Sequence, residues 1–401
     1  MSRITWEIKF IRKKIKLYIS NLLNRIVMFS FPKRKEKFSP ENIKSILIAR
    51  NDKIGDMVVT TSLIKNLALA GYDVYVSSQQ SSLEILKNNP YVKGTFSYND
   101  YSYKDLFESI KKIRKFHFDL VIDTRPFYSF EMKKIIFCAF TNSTHLMGFN
   151  KSNVKSYNIS IPYYNNDSHI TNQLNKIYDY INIQNYDKSY DLYIAEDNKK
   201  YINEFITKYN IAKFVIINPF GGAKKRELSQ WQMEYLVEIL KKIKPDHTIV
   251  FIGEQNKLKN IDPNLGLKFQ SNSILDVIAL IKEASYVVTV DTSIVHITSA
   301  FGLPCLTIYS ESILFEKTDD INLTMRKKWK EYYRNACNNL VDKSYLKKNK
   351  LLVELPYCYD QLWSPNNPNA KQIVFYKSFL SKVDNEEFSQ RILSCIKIVL
   401  L

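Results

Sequence analysis

Three short segments hold the residues whose types and spacing suit chemistry. The first is Arg50-Asn-Asp-Lys-Ile-Gly-Asp56. It follows an apolar run and opens a helical one, so Arg50, Asp52, Gly55 and Asp56 stand where a strand hands over to a helix. A carboxylate held in a dry cleft can take the proton of an attacking hydroxyl, which makes Asp56 a candidate general base. The same position suits plain helix capping. The second segment is Asn218-Pro-Phe-Gly-Gly-Ala-Lys-Lys-Arg226. Gly221, Gly222 and Ala223 let main-chain N–H groups approach a ligand closely, and Lys224, Lys225 and Arg226 add positive charge. Such a loop suits a diphosphate, although P-loop spacing is absent. A solvated basic loop has the same composition. The third segment, Tyr286-Val-Val-Thr-Val-Asp-Thr-Ser-Ile-Val-His296, ends a strand and starts a helix. Thr292, Ser293 and the helix N–H groups can meet phosphate oxygens there, and His296 can reach the same place. Asp291 beside a phosphate is unfavourable, so it is expected to cap the helix or bind sugar hydroxyls. A lone histidine on a helix facing a sheet is also often a core residue.

These segments need a scaffold that brings them together, and the pattern of the chain supplies one. The first half alternates a strand at 45–49, a helix at 57–69, a strand at 73–77, helices at 81–89 and 103–115, and a strand at 119–123. Helix 131–140 and strand 146–149 follow, then an Asn/Tyr/Asp-rich stretch, 150–195, with a helix near 170–182. The pattern restarts with helix 197–209, strand 214–218, helix 230–242, strand 248–253, helix 273–283, strand 286–290, helix 293–301 and strand 304–309. Two successive βα series predict an α/β chain with two doubly wound, Rossmann-like domains facing a cleft. The expected organisation is a basic arm at 1–40, a first domain at 41–195, a second at 196–380, and a C-terminal helix at 381–401 packing across both. Residues 317–355, basic and aromatic, fit neither series.

The chain has 401 residues and a formal net charge of +18. Residues 1–40 carry 11 Lys/Arg against 2 Asp/Glu, a net +9. Within them Ile11, Ile15, Tyr18, Leu22, Ile26 and Phe29 recur at helical spacing. This is the pattern of a basic amphipathic helix lying on an anionic membrane surface; a helix docked on its own protein, or at an oligomer seam, shares it. Residues 32–40 read as a linker. The five cysteines form no close pair, which fits a reducing compartment better than a disulfide scaffold. The N-terminus lacks the apolar core of a signal peptide, and no apolar run is long enough to span a bilayer. The basic balance admits a nucleic-acid partner, but no nucleic-acid motif stands out, and half the charge sits in one arm.

Taken in order, the three segments resemble the heptosyltransferase family of bacterial glycosyltransferases, which have the GT-B fold. Arg50–Asp56 is similar to the family's R-x-x-x-I-G-D, and Asn218–Ala223 to the loop after the first strand of its second domain. Asp291–His296, with Ala300 and Gly302-Leu-Pro304, is similar to D-T-[GS]-x-x-H followed by A-x-G-x-P. The resemblance covers about residues 44–310. It implies inverting, metal-independent transfer from a nucleotide-diphosphate sugar, typically ADP-heptose, to a lipid-linked lipopolysaccharide-type glycan. The setting it implies is the cytoplasmic face of the membrane, with no cofactor beyond the donor. It makes Asp56 the base, and it makes the Gly221–Gly222 loop and Asp291–His296 the donor site, with Arg50, Asp52 and Gly55 acceptor-side or structural. Three features depart from the pattern. Ser229 stands two residues before Trp231, where the family often has Lys, so Lys225 or Arg226 must take the phosphate role. Ser293 replaces a frequent Gly, and the basic arm precedes the usual first strand. A different nucleotide sugar, for capsule or outer-core glycan, is therefore an open alternative, and a non-enzymatic basic binding protein is a further one.

Overall fold

Runs of aliphatic residues that are apolar without alternation become strands buried on both faces. The computed structural model describes residues 3–126, 132–163, 169–310, 362–375, 377 and 379–400; the basic-aromatic stretch 317–355 lies outside them. After α1 (Arg3–Ser30), the first domain runs β1 (Ser45–Ala49), α2 (Ile54–Leu69), β2 (Asp73–Ser78), α3 (Gln80–Leu83), β3 (Gly94–Ser97), α4 (Tyr103–Ile113), β4 (Phe118–Pro126), α5 (Met132–Phe140), β5 (Ser143–Phe149), β6 (Ile159–Ile161) and α6 (Thr171–Ile181). The second runs α7 (Glu196–Lys208), β7 (Phe214–Asn218), α8 (Gln230–Ile243), β8 (Thr248–Phe251), α9 (Gln255–Leu258), β9 (Leu267–Lys268), α10 (Ile274–Glu283), β10 (Tyr286–Val290), α11 (Ser293–Ala300), β11 (Cys305–Ser310), β12 (Ala370–Phe375) and α12 (Asn385–Leu400).

Each domain builds one parallel sheet. The first has the order β3-β2-β1-β4-β5-β6, and the second, β12-β11-β10-β7-β8-β9, is the same winding read from the other edge. The two expected Rossmann-like domains are therefore present. Ile46, Leu47 and Ile48 of β1 are wholly buried. Ile46 and Ile48 face a core shared with Ile216, Ile294 and Ile297 of the second domain, whereas Leu47 faces the core under α4 and α5. Helix α2 has no polar stripe: Met57, Val58, Val59, Leu63, Ile64 and Leu67 are all buried, because sheet and second domain cover different sides of it. Each such side chain contributes roughly 1.5–3 kcal/mol.

Several expectations need correction. α2 begins three residues earlier than its apolar run suggests, at Ile54. The helix expected at 81–89 is broken into α3 and a tighter turn, Glu84–Leu86. Strands β3, β6, β9 and β12 were not expected; they are short or lie at sheet edges, where hydrophobic runs are weakest. Residues 32–40 are docked rather than a free linker. The Arg34 guanidinium donates to the carbonyls of Ser143 (3.0 Å), Ser156 (2.8 Å) and Thr141 (3.3 Å), and Phe31 packs edge-on against Phe140 with centroids 5.0 Å apart. Among the described residues, α12 packs on the second domain rather than across both: its buried Phe388, Ile392 and Ile396 join that core, against α8 and β12. Segment 362–367 of the second domain touches the first. Leu362 O accepts from Ile170 N at 2.9 Å, His169 Nε2 lies 3.0 Å from Ser364 O, and Asn366 Nδ2 donates to Lys188 O at 2.9 Å.

Candidate functional site

Open parallel sheets bind ligands beyond the carboxyl ends of their strands, where the strand order reverses. In the first sheet that point lies between β1 and β4, and in the second between β7 and β10. The loop after β1 holds Arg50–Lys53, and β4 ends in Asp123-Thr124-Arg125-Pro126. The loop after β7 is Pro219–Arg226, and after β10 come Asp291 and Thr292. All three sequence segments thus emerge at reversal points. Packing of α2 on α11 sets them face to face. A Cβ built on Gly55 would lie 3.1 Å from His296 Cδ2 and 3.4 Å from Ser293 Cα, so Gly55 allows the domains to meet this closely.

Asp56 is the third residue of α2. Its Oδ2 accepts from Lys53 N at 3.3 Å and its Oδ1 from Arg50 Nη2 at 2.9 Å. It is thus a helix cap by geometry, and capping leaves further lone pairs on both oxygens. Burial pushes its carboxyl above the usual carboxylate range, against the opposing pull of Arg50. Arg50 is almost fully buried; it also donates to Thr124 O (3.2 Å) and lies 3.6 Å from Asp52.

Two cations that the sequence reading missed join this side. Arg125 Nη1 lies 3.1 Å from Asp52 Oδ1, and Lys134 Nζ lies 3.6 Å from it. Behind them Asp123 is buried; it accepts from Arg125 N (3.2 Å) and Tyr157 OH (2.8 Å) and pairs with Lys151 at 3.2 Å. Burial alone would raise the Asp123 carboxyl, but Lys151 and Arg125 hold it below its ordinary range. The one signal available in the sequence was the placement of Asp123 at a strand's carboxyl end, as with Ala49-Arg50.

On the opposite side, Arg226 Nη1 sits 2.9 Å from Asp291 Oδ2. Burial raises the Asp291 carboxyl, while Arg226, Lys225 and Lys53 oppose the rise, so cations of both domains converge on it. Asp291 is not the cap of α11. Thr292 is: its Oγ1 accepts from Ile294 N (3.2 Å) and from Asn218 Nδ2 (3.0 Å), and Asn218 also donates to Thr289 Oγ1 at 2.9 Å. A hydroxyl at that position reaches the helix N–H, which leaves the carboxylate to the nearby guanidinium. Gly221 is demanded by its own loop, since an added Cβ would lie 2.5 Å from Arg226 Cβ. Gly222 faces open space, and Ala223 and Lys225 are exposed beside it. Ser293 begins α11 and is half-buried. Ser229 caps α8, accepting from Gln232 N at 3.2 Å, so this position serves the helix.

His296 lies in the seam between the domains, only 6% exposed, with the rings of Tyr190 and Trp363 centred 6.1 Å and 5.9 Å away. Burial, reinforced by His169, depresses its imidazole to about 3, so it is neutral; Nδ1 has no partner among the described residues. Also among the described residues, no group of three His, Cys, Asp or Glu side chains is placed to hold a metal ion, and no helix is long and apolar enough to cross a membrane.

Comparison with known proteins agrees with this architecture. The solved glycosyltransferase family 9 protein of Veillonella parvula superposes with a TM-score of 0.63 at 13% identity, covering 89% of this chain and 97% of that one. Escherichia coli ADP-heptose lipopolysaccharide heptosyltransferase II gives 0.60 at 14% identity, covering 89% and 98%. At these identities the likeness is one of fold. In sequence, the protein provisionally named lipopolysaccharide heptosyltransferase 4 of Escherichia coli (strain K12) is 26% identical over 310 residues, 75% of this chain and 84% of that protein. The family model for glycosyltransferase family 9 (heptosyltransferase) matches residues 107–339, more than half the chain. That match sets aside the non-enzymatic alternative. With two like-wound sheets, a carboxylate at one reversal point and a cation loop at the other, the chain belongs to glycosyltransferase family 9, the heptosyltransferases, and is a glycosyltransferase.

Proposed function

We propose that this enzyme transfers heptose from ADP-heptose to a lipopolysaccharide-type glycan, with inversion, without metal, and with Asp56 as general base. The observation that carries the reading is the half-buried carboxylate of Asp56, raised in basicity and held at the first reversal point by Arg50 and Lys53 N. In this mechanism Asp56 takes the acceptor hydroxyl proton as that oxygen attacks the anomeric carbon. The bond to the diphosphate breaks on the opposite face, and the sugar passes through an oxocarbenium-like transition state. Negative charge developing on the leaving diphosphate is met by Arg226, Lys225 and the N-terminus of α11. Arg226 exchanges Asp291 for phosphate oxygens, which frees Asp291 for sugar hydroxyls. The solved relative named for ADP-heptose supports the donor assignment through its fold.

The acceptor is lipid-linked, and the enzyme works as a peripheral protein on the cytoplasmic face of the membrane, with residues 1–40 toward anionic lipid. The direct test is Asp56→Asn. This variant should fold and bind ADP with normal affinity while kcat falls by roughly 10²–10⁴. Normal turnover would remove Asp56 from the mechanism. A second reading, transfer of another nucleotide sugar to capsule or outer-core glycan, is favoured by Ser229 in place of the frequent Lys. A panel of ADP-, UDP- and GDP-sugars, with and without EDTA, separates the two.

A further inference from the structure

Helix α1 presents a long apolar face that nothing among the described residues covers. Ile8, Ile11, Ile15, Tyr18, Ile19, Leu22, Leu23, Ile26 and Phe29 are between 42% and 70% exposed. At 3.6 residues per turn these nine fall within about 140° of arc and run about 32 Å along the axis. The opposite side of the same helix is where it attaches. Met28 is 3% exposed in the core under α5, Met28 O accepts from Lys155 N at 2.8 Å, and the Phe31 and Arg34 contacts pin the following turn. Attachment on that side turns the apolar stripe away from the first domain. Arg12 and Arg25, both exposed, lie near the two margins of the stripe. Residues 3–30 hold seven Lys/Arg against a single Glu. The helix is too polar overall to cross a bilayer.

We propose that α1 is an interfacial helix whose stripe lies in an anionic lipid surface and whose clamped C-terminal end holds the first domain at a set orientation to that surface. Positive charge flanking a one-sided apolar stripe selects anionic lipid over a neutral surface. The clamp runs through α5, and the same helix extends Lys134 to Asp52 at 3.6 Å. The inner end of the anchor is therefore built into the element that lines the acceptor side. This deepens the proposed function by naming the surface that meets lipid, and it rests on that reading only for its purpose. The test uses no sugar, so its failure and the failure of the transfer reading are distinguishable.

The full chain is sedimented with vesicles of three parts phosphatidylethanolamine to one part phosphatidylglycerol, and with vesicles of phosphatidylcholine alone. A variant carrying Ile11→Ser, Ile15→Ser and Leu22→Ser is run beside it. The wild type should bind the anionic vesicles, bind phosphatidylcholine at least about tenfold more weakly, and lose binding in high salt. The triple variant should melt with the wild type and lose anionic-vesicle binding by about tenfold or more. Equal binding of variant and wild type would overturn the proposal, as would indifference to lipid charge. So would a concentration-dependent dimer, abolished by the triple substitution, in a protein that ignores vesicles; the stripe would then belong to a second copy of the chain.

Discussion

Replacing His296 with Met should change how stability responds to acid, and the size follows from the seam. In the unfolded chain an imidazole titrates near 6.5; in the folded protein this one titrates near 3, because it is buried in the seam beside Tyr190 and Trp363, with His169 adding to the shift. The folded value is depressed, so His296 contributes stability that is complete above the unfolded value and is lost as pH falls toward the folded one. At about pH 7.5 neither state binds the proton; at about pH 5 the unfolded chain does and the folded protein does not, a difference of about 2 kcal/mol. His169, also depressed by burial, acts in the same sense but is present in both proteins. Urea unfolding of wild type and His296→Met at both pH values isolates the His296 contribution. The wild type should lose about 2 kcal/mol more than the variant between the two. A gap between the proteins that stays constant with pH would refute the argument, because it would mean that the imidazole is hydrated or partnered in the folded state.

Three further outcomes follow from the geometry. Gly55→Ala should gain helix propensity of about 0.5–1 kcal/mol for α2 while wedging a methyl against His296 and the Ser293 main chain. kcat/KM should therefore fall several-fold without a drop in melting temperature, which steady-state kinetics and a thermal melt check together. Gly221→Ala places a carbon 2.5 Å from Arg226 Cβ; the loop must shift and carry Arg226 away from Asp291, so calorimetry should record weaker ADP binding, by about tenfold for each 1.4 kcal/mol lost. Lys151→Met strips the buried cation from Asp123 and should cost about 3–5 kcal/mol near neutral pH. That penalty should shrink as pH falls through the ordinary carboxylate range, since Asp123 can then take a proton, and urea melts across pH measure both effects.

Much of the site's framework was readable along the chain, because strand-to-helix junctions are local. Arg50–Asp56 and Asp291–His296 stand beside apolar runs whose length and Gly placement mark β1, α2, β10 and α11, and the two βα series imply two parallel sheets. Short edge strands were not readable: β9 is only Leu267–Lys268, and β3 is Gly94–Ser97, and neither has a hydrophobic pattern to declare itself. Nor were the partners of the site residues. Arg125 reaches Asp52 from 73 positions away, and Arg226 reaches Asp291 from 65.

The sequence by itself determined where the chemistry-bearing residues sit on their elements, since propensity, capping and hydrophobic period act within a few residues. It left the roles of those residues open between capping, core packing and chemistry. Only the tertiary structure decided that Thr292 rather than Asp291 caps α11, that Arg226 is held by a carboxylate, and that His296 is neutral in a seam between Tyr190 and Trp363. It also decided that the 362–367 segment reaches the first domain and that the buried face of α12 packs within the second. These outcomes depend on desolvation and on which distant groups are brought within hydrogen-bond reach, and both are properties of the packed chain rather than of any stretch of it.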